Sequence, residues 1–358
     1  MEKIILYGTG KKAEHLLELL DKLKQFEIIE VWDNDERKCK EQFSSFTITK
    51  PQKQDEFAVL VASTYYSQIK ENLEKEYQID EKIIKPWNYC FHYIKEQIIG
   101  RYQESEDVEI QSVIRFLETE ELDVMNGAFR KKYETISVPI ERDEEKGLFY
   151  TYWHGKKMYL AAKFSTKRAA ENYVRGLMEE QDKDSPHFYG NSFYGNCQKG
   201  VVVDAGAAEG FWALDALEYA SQAVLLEGEP EWLEALRYTF EPYQDKVKII
   251  PQFLVKSGEK EGITLSQLCR ETGKIACMKM DIEGAESGIL QSESELLETN
   301  VIERILVCTY HQSSDARDIK GTLENAGYQT EFSQGYMFFP YGREIEAELR
   351  KGLIRAEK

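Results

Sequence analysis

The run Val201-Val202-Val203-Asp204-Ala205-Gly206-Ala207-Ala208-Glu209-Gly210-Phe211 constrains this chain more than any other stretch. Consecutive valines predict a strand buried on both faces, as in a parallel sheet. Asp204 closes the strand, small residues and glycines make a turn, and Phe211 to Tyr219 reads as a helix. A strand that turns through glycines into a helix lets a ligand approach backbone N–H groups at the strand's carboxyl end. The spacing is Asp-x-Gly-x-x-x-Gly, not the Gly-x-Gly-x-x-Gly of a pyrophosphate loop. A carboxylate at that strand end suits a cationic or hydroxyl-bearing ligand better than a phosphate.

A second acid stands where the next strand should end, in Ala223-Val224-Leu225-Leu226-Glu227-Gly228-Glu229-Pro230. An acid there can take both hydroxyls of a ribose. A nucleoside without phosphate, held by two strand-end acids, suggests S-adenosylmethionine. Downstream lies Lys279-Met280-Asp281-Ile282-Glu283-Gly284-Ala285-Glu286. With these stretches the chain resembles the class I methyltransferases, and more narrowly the FkbM-type family, over roughly residues 150–340. The resemblance implies an α/β fold with a Rossmann-like seven-stranded sheet. It also implies S-adenosylmethionine as cofactor and O-methylation of a glycan or a secondary metabolite. Asp204 and Gly206 are assigned to the cofactor's methionine end, and Ala208 and Gly210 of the same loop to cofactor binding. Glu227 is assigned to the ribose, Gln252 or Phe253 to the adenine, and Asp281 to the active site. The plainer alternative is an ordinary loop that holds no cofactor.

Two histidines flank that site in the sequence. Pro186 should stop the helix Thr166 to Gln181 and leave His187 and Tyr189 on a loop before the first sheet strand. The Gln-Asp then Ser-Pro-His-x-Tyr string resembles one in some FkbM-like proteins, which implies a loop over the active site. His311 follows the fifth strand, Arg304 to Thr309. Histidine titrates near neutrality, so His311 and His187 are the candidates for deprotonating a hydroxyl, and Asp281, which ends a strand, is the third catalytic candidate. Asp281, Glu283 and His311 are the alternative, a divalent-cation set, but they lack a recognisable metal spacing, so metal-independent transfer is expected. Lys279 lies two residues before Asp281 on the same strand face and predicts a partly buried salt bridge.

Residues 1–90 read as a smaller Rossmann-like α/β domain. Lys3 to Tyr7 is a strand, Gly8-Thr9-Gly10 a turn, Ala13 to Leu23 a helix, and Glu27 to Trp32 a strand ending at Asp33. Phe57 to Ala62 is a third strand and Tyr65 to Tyr77 a helix. The order is that of a nucleotide-binding βαβ unit, with Gly8, Gly10 and Asp33 as its site. Lys11, Lys12 and Ala13 stand where the third glycine should come. The stretch resembles the sugar-nucleotide-binding domains of bacterial polysaccharide enzymes; a docking module without ligand is the equal alternative.

Residues 91–145 form a helical connector, with helices Tyr89 to Tyr102, Ile110 to Leu117 and Glu120 to Tyr133. The stripe Ile110, Val113, Ile114 and Leu117 predicts interdomain packing or a homo-oligomer. The methyltransferase domain spans 146–342. It opens on a hairpin, Leu148 to Ala162, and ends in an antiparallel pair, Tyr328 to Phe332 with Tyr336 to Phe339. Residues 343–358 are a charged surface helix or tail.

The 358 residues carry 64 acids against 46 bases, a formal charge of −18. That opposes nucleic acid and anionic lipid as partners. No window is apolar enough to span a bilayer, and the N-terminus has no signal segment. The six scattered cysteines lack a Cys-x-x-Cys pair and fit a reducing cytoplasm. The expected substrate is a small molecule or glycan, foremost a sugar in surface-polysaccharide assembly. A non-catalytic scaffold and a nucleotide-sugar oxidoreductase are the competing classes.

Overall fold

The computed structural model describes residues 1–63, 65–190, 195, 197, 199–341 and 346–358. The chain divides into two compact units. One centres on Met1–Arg101; the other holds Tyr102–Glu118 and most of the chain beyond Val124.

In the first unit the βαβ pattern becomes a six-stranded sheet. Its strands are β1 (Glu2–Tyr7), β2 (Phe26–Trp32), β3 (Gln42–Phe43), β4 (Phe46–Thr49), β5 (Ala58–Val61) and β6 (Ile84–Pro86). Their order is β3-β4-β2-β1-β5-β6, and only β3–β4 is antiparallel. Helices Lys11–Leu23 and Tyr66–Tyr77 form where the apolar spacing put them, and Leu16, Leu19 and Leu20 bury the first.

The second unit opens with a helix, Val108–Leu117, capped by Asp107, whose carboxylate accepts from the Glu109 and Ile110 amides. The helix expected over Glu120 to Tyr133 does not form. Only a short 3-10 turn, Ala128–Lys132, does, and Gly127 enters it in an extended conformation. Strands β7 (Glu141–Asp143), β8 (Leu148–Trp153) and β9 (Lys156–Tyr159) make an antiparallel ladder. His154 and Gly155 both take positive φ at the β8–β9 turn, as a two-residue hairpin requires. Helix Lys167–Glu180 follows, capped by the Thr166 hydroxyl.

The main sheet holds β10 (Val201–Ala205), β11 (Gln222–Leu226), β12 (Val247–Ile250), β15 (Ile275–Met280), β16 (Arg304–Cys308), β17 (Gln329–Phe332) and β18 (Leu353–Glu357). A two-stranded pair, β13 (Leu254–Val255) and β14 (Ile263–Thr264), lies apart from it. The order is β12-β11-β10-β15-β16-β18-β17. The first five run parallel, while β18 is antiparallel to both its neighbours. This is the seven-stranded class I methyltransferase topology expected from the sequence. Helix Phe211–Ala216 is shorter than expected, since Gly200 and Lys199 take the carbonyls and amides of the turn beyond it. Helix Asp315–Asn325 ends before Gly327 at φ 87°.

The C-terminus departs from expectation. Leu353–Glu357 is no surface helix but the strand β18, inserted between β16 and β17, with Leu353 and Ile354 fully buried. Its alternate residues supply the apolar face; the flanking charges Arg355 and Glu357 masked it. Among the described residues Tyr336 to Phe339 pairs only through Met337, which bridges Met125 and Arg350. Residues 342–345, at the expected domain edge, lie outside the described residues. Among the described residues no helix is long and apolar enough to cross a membrane.

Candidate active site

The parallel strands β10, β11, β12 and β15 all end on one edge, and the loops leaving them enclose a cavity of about 480 Å³. That volume suits a drug-sized ligand. Gly206, Ala208, Glu227, Gln252 and Asp281 line it, so five of the expected residues meet at one place. Gly206 must be glycine: it has φ 75°, and a Cβ there would stand 1.8 Å from the Asp281 carbonyl oxygen. The first and fourth loops touch at that point.

Glu227 is buried and shapes the first loop. Its Oε2 accepts from the Ala208 amide at 2.8 Å and its Oε1 from the Glu229 amide at 2.7 Å. Burial raises its pKa. Phe253 presses on the Gly228 backbone, where a Cβ would meet its ring at 2.4 Å. Glu229, Glu259, Glu261 and Glu283 also reach the cavity, and Lys256 is the one lysine or arginine among its lining residues. Six carboxylates against one amine favour a cation over a phosphate.

Asp204 and Gly210 stand behind this wall rather than in it. Asp204 pairs with Lys279 at 3.0 Å, and Lys279 also donates to the Gly206 carbonyl at 2.8 Å. The two are register partners across β10–β15. Burial costs both charges, but the Asp204 and Asp281 carboxylates keep Lys279 protonated. The buried salt bridge expected of Lys279 forms, and it removes Asp204 from direct contact with the cavity. Gly210 sits at φ 82° against Leu236 and Phe240, where a Cβ would come within 2.6 Å of the Phe240 ring.

Asp281 is the hub. Its carboxylate accepts from the Tyr189 hydroxyl at 2.8 Å and the Tyr310 hydroxyl at 3.3 Å. His187 Nε2 lies at 3.8 Å and His311 Nε2 at 3.7 Å. Burial opposes its ionisation, yet Lys279, the His311 cation and the Tyr189 bond hold its pKa down at about 2. The histidines occupy opposite protonation states. Burial lowers His187 to about 4, so it is neutral. Burial also works against the His311 cation, but Glu286 at 3.1 Å, with Asp281 and Glu283, pushes it up to about 9. Neither ring lines the cavity.

The loop carrying His187 and Tyr189 is clamped from two sides. Gln181 donates to the His187 carbonyl and accepts from the Tyr189 amide, both at 3.2 Å. Arg355 of β18 reaches the Phe188 and Tyr189 carbonyls. Sequence reasoning missed Arg355, Glu286 and Tyr310. Glu286 ends the Asp-Ile-Glu-Gly-Ala-Glu string and accepts from the Ile282 amide, so it closes the fourth loop. Two further acids stand nearby. Burial raises Glu209, bonded to Tyr173, to about 7, and burial with Asp281 and Glu209 raises Glu180 to about 8. Among the described residues two sets of side chains come close enough to share an ion, Asp281 with Glu286 and His311, and His187 with Asp281 and Cys308. The first differs from the expected set by Glu286 in place of Glu283.

In the N-terminal unit, Gly8 has φ 104° and approaches the Ala62 carbonyl. Gly10 precedes helix Lys11–Leu23. Asp33 is occupied locally: its Oδ2 accepts from Thr9 at 2.5 Å and from Lys38 at 3.3 Å, and its Oδ1 from the Asp35 amide.

Residues 239–330 match the methyltransferase FkbM domain family. The chain carries an FkbM-type methyltransferase domain. Residues 1–85 match the C2185-like N-terminal family. No curated protein matches the chain. Among solved structures, it is similar to magnesium protoporphyrin IX methyltransferase from Synechocystis PCC 6803, with bound SAM. That likeness has 14% identity, 52% of this chain, 85% of that chain and a TM-score of 0.34. It is similar to an rRNA methylase from Streptococcus thermophilus at 14% identity, 48% of this chain, 96% of that chain and a TM-score of 0.33. It is also similar to precorrin-6Y C5,15-methyltransferase from Geobacter metallireducens at 14% identity, 47% and 87% coverage and a TM-score of 0.32. The cofactor of the FkbM family is S-adenosylmethionine.

Proposed function

We propose that the protein is an S-adenosylmethionine-dependent O-methyltransferase. Its acceptor is a hydroxyl of a sugar, a nucleotide sugar or a surface-polysaccharide precursor. The observation that carries the cofactor assignment is the acidic cavity at the strand ends. The bound cofactor supplies an electrophilic methyl group on a sulfonium cation. A ring of carboxylates attracts that charge, and the neutral product is held less strongly.

Glu227 keeps lone pairs beyond its two backbone bonds and faces the cavity, so it takes the ribose hydroxyls. Gln252 and Phe253 cover the adenine. Gly206 and Ala208 present their backbone to the methionine end, and the Asp204–Lys279 pair braces that loop. Asp281, ionised and lining the cavity, orients the acceptor hydroxyl. His187, neutral at working pH, receives the proton beyond Asp281; His311 already holds one. Orientation of this kind contributes on the order of 7–11 kcal/mol.

Calorimetric titration with S-adenosylmethionine and its demethylated product tests the reading. Saturable binding is expected, weaker for the product. Absence of binding by a folded protein would leave the non-catalytic scaffold as the surviving alternative.

A further inference from the structure

β18 enters the main sheet antiparallel to β16, with Leu353 opposite Cys308. The residues just before Leu353 therefore lie beside Thr309, Tyr310 and His311, at the edge where the parallel strands end. Thr309 fixes that register. Its amide donates to the Gly352 carbonyl at 2.9 Å and its hydroxyl to the Lys351 carbonyl at 2.8 Å. The same segment touches the loop that carries His187. A Cβ on Gly352 would stand 2.0 Å from the Pro186 carbonyl oxygen, and the buried Ser333 hydroxyl donates to that oxygen at 2.6 Å.

Two arginines extend this grip. Arg350 is buried, and its Nη1 donates to the Tyr310 carbonyl at 2.8 Å and the His311 carbonyl at 3.1 Å. Its Nε pairs with Glu348 at 2.9 Å. Arg355 donates to the Phe188 carbonyl and, from Nε, to the Tyr189 carbonyl at 3.4 Å. Tyr189 and Tyr310 are also the donors to Asp281, one to each carboxylate oxygen. Each phenol is thus tethered, through its own main-chain carbonyl, to an arginine of one C-terminal segment.

We propose that Arg350 and Arg355 are positioning residues for Asp281, acting through Tyr310 and Tyr189. This rests on the methyltransferase reading above and names the part of the chain that sets its cavity. The last torsion of an aspartate is broad, so the side chain does not fix its own direction. Two phenols, one on each oxygen, decide which way the carboxylate faces. The guanidinium groups, with their donors in a rigid fork, decide where the phenols stand.

Calorimetry on the full-length protein, with S-adenosylmethionine and with its demethylated product, tests this. The two probes differ by the sulfonium charge. The ratio of their affinities therefore reports how the lining carboxylates, Asp281 among them, face the cavity. A folded wild type that binds neither probe removes the methyltransferase reading, and the proposal with it. Arg355→Met keeps the stem of a half-buried side chain, and Arg350→Lys keeps a charge beside Glu348. Arg355→Gln replaces the first if the methionine variant does not fold. Each should keep its product affinity and lower the preference for the cation about threefold. Tyr189→Phe and Tyr310→Phe should do the same. Arg355→Met added to Tyr189→Phe, and Arg350→Lys added to Tyr310→Phe, should cost no more than the tyrosine change alone. A merely structural role would weaken both probes alike. Unchanged preference in a folded arginine variant overturns that arginine's role, as does a loss that adds in full to its tyrosine partner's.

Discussion

Lys279 and Asp204 face each other across the β10–β15 ladder, with Nζ 3.0 Å from Oδ1, and both are almost fully buried. The same ammonium holds the Gly206 carbonyl at 2.8 Å. One cation thus ties the end of the first strand to the loop that lines the cavity. Removing it strands the Asp204 carboxylate in the core. Lys279→Met should cost about 3–5 kcal/mol, read by urea denaturation. The double variant Asp204→Asn/Lys279→Met should recover part of that loss. A cost below about 1 kcal/mol, within the range of an exposed pair, would contradict the bracing role.

Glu227 links the first two loops through the Ala208 and Glu229 amides while facing the cavity. Glu227→Ala should lower cofactor affinity by about 1.5–3 kcal/mol. Glu227→Gln keeps one carbonyl acceptor and should lose less. Calorimetry on both variants checks the order; equal affinities across wild type and Glu227→Ala would remove the ribose assignment.

These residues show how much of the fold and site the sequence itself carries. Val201 to Val203 announced a two-faced buried strand because β-branched runs have few other homes. Gly206 was legible as a turn, but its reason was not: the Asp281 carbonyl comes from a loop 75 residues away in register. Asp204 looked like a ligand because strand-end acids in such folds often are. Only the register with Lys279 shows that its charge is already used. Tyr310 lay in plain view beside His311, yet nothing local says that its hydroxyl turns to Asp281. β18 was missed because Arg355 and Glu357 dilute a short apolar alternation, and its partners are distant in sequence.

The N-terminal unit should not bind a dinucleotide. Ala13, at the third-glycine position, is fully buried, and Asp33 is held by Thr9 and Lys38. Titration of the full-length protein with NAD-type dinucleotides should show no saturable binding. Binding that disappears in Asp33→Ala would restore the nucleotide site.

The two histidines should leave opposite marks on stability. His311 has its folded pKa raised from 6.5 to about 9 by Glu286, Asp281 and Glu283, against burial. Its contribution is fully present below about pH 6.5 and is lost as pH rises through about 9. The whole span is worth roughly 3 kcal/mol at most. His187 is lowered from 6.5 to about 4 by burial. Protons then favour the unfolded chain, so stability falls as pH drops across that window. His311→Asn should flatten the alkaline slope and His187→Asn the acidic one. Denaturation midpoints between pH 4 and 9 would show it; a His311→Asn curve parallel to wild type would deny the charged state assigned to His311.

Turnover should separate the same two residues. His187 is neutral and lies 3.8 Å from the Asp281 carboxylate. Once an acceptor is in hand, His187→Ala should lower the methyl-transfer rate by about 10²–10⁴-fold and leave cofactor affinity nearly unchanged. His311 is charged and held by Glu286 at 3.1 Å, so His311→Ala should act through the position of the fourth loop and reduce turnover less. The competing view makes Asp281, Glu286 and His311 a metal site that activates the hydroxyl. A metal would have to displace the proton that three carboxylates stabilise on His311. Transfer should therefore survive exhaustive chelation. Activity that vanishes with chelator and returns with magnesium or manganese would assign the cluster to a cation. Activity indifferent to chelation and to both histidine variants would leave orientation by Asp281 as the only contribution of this group.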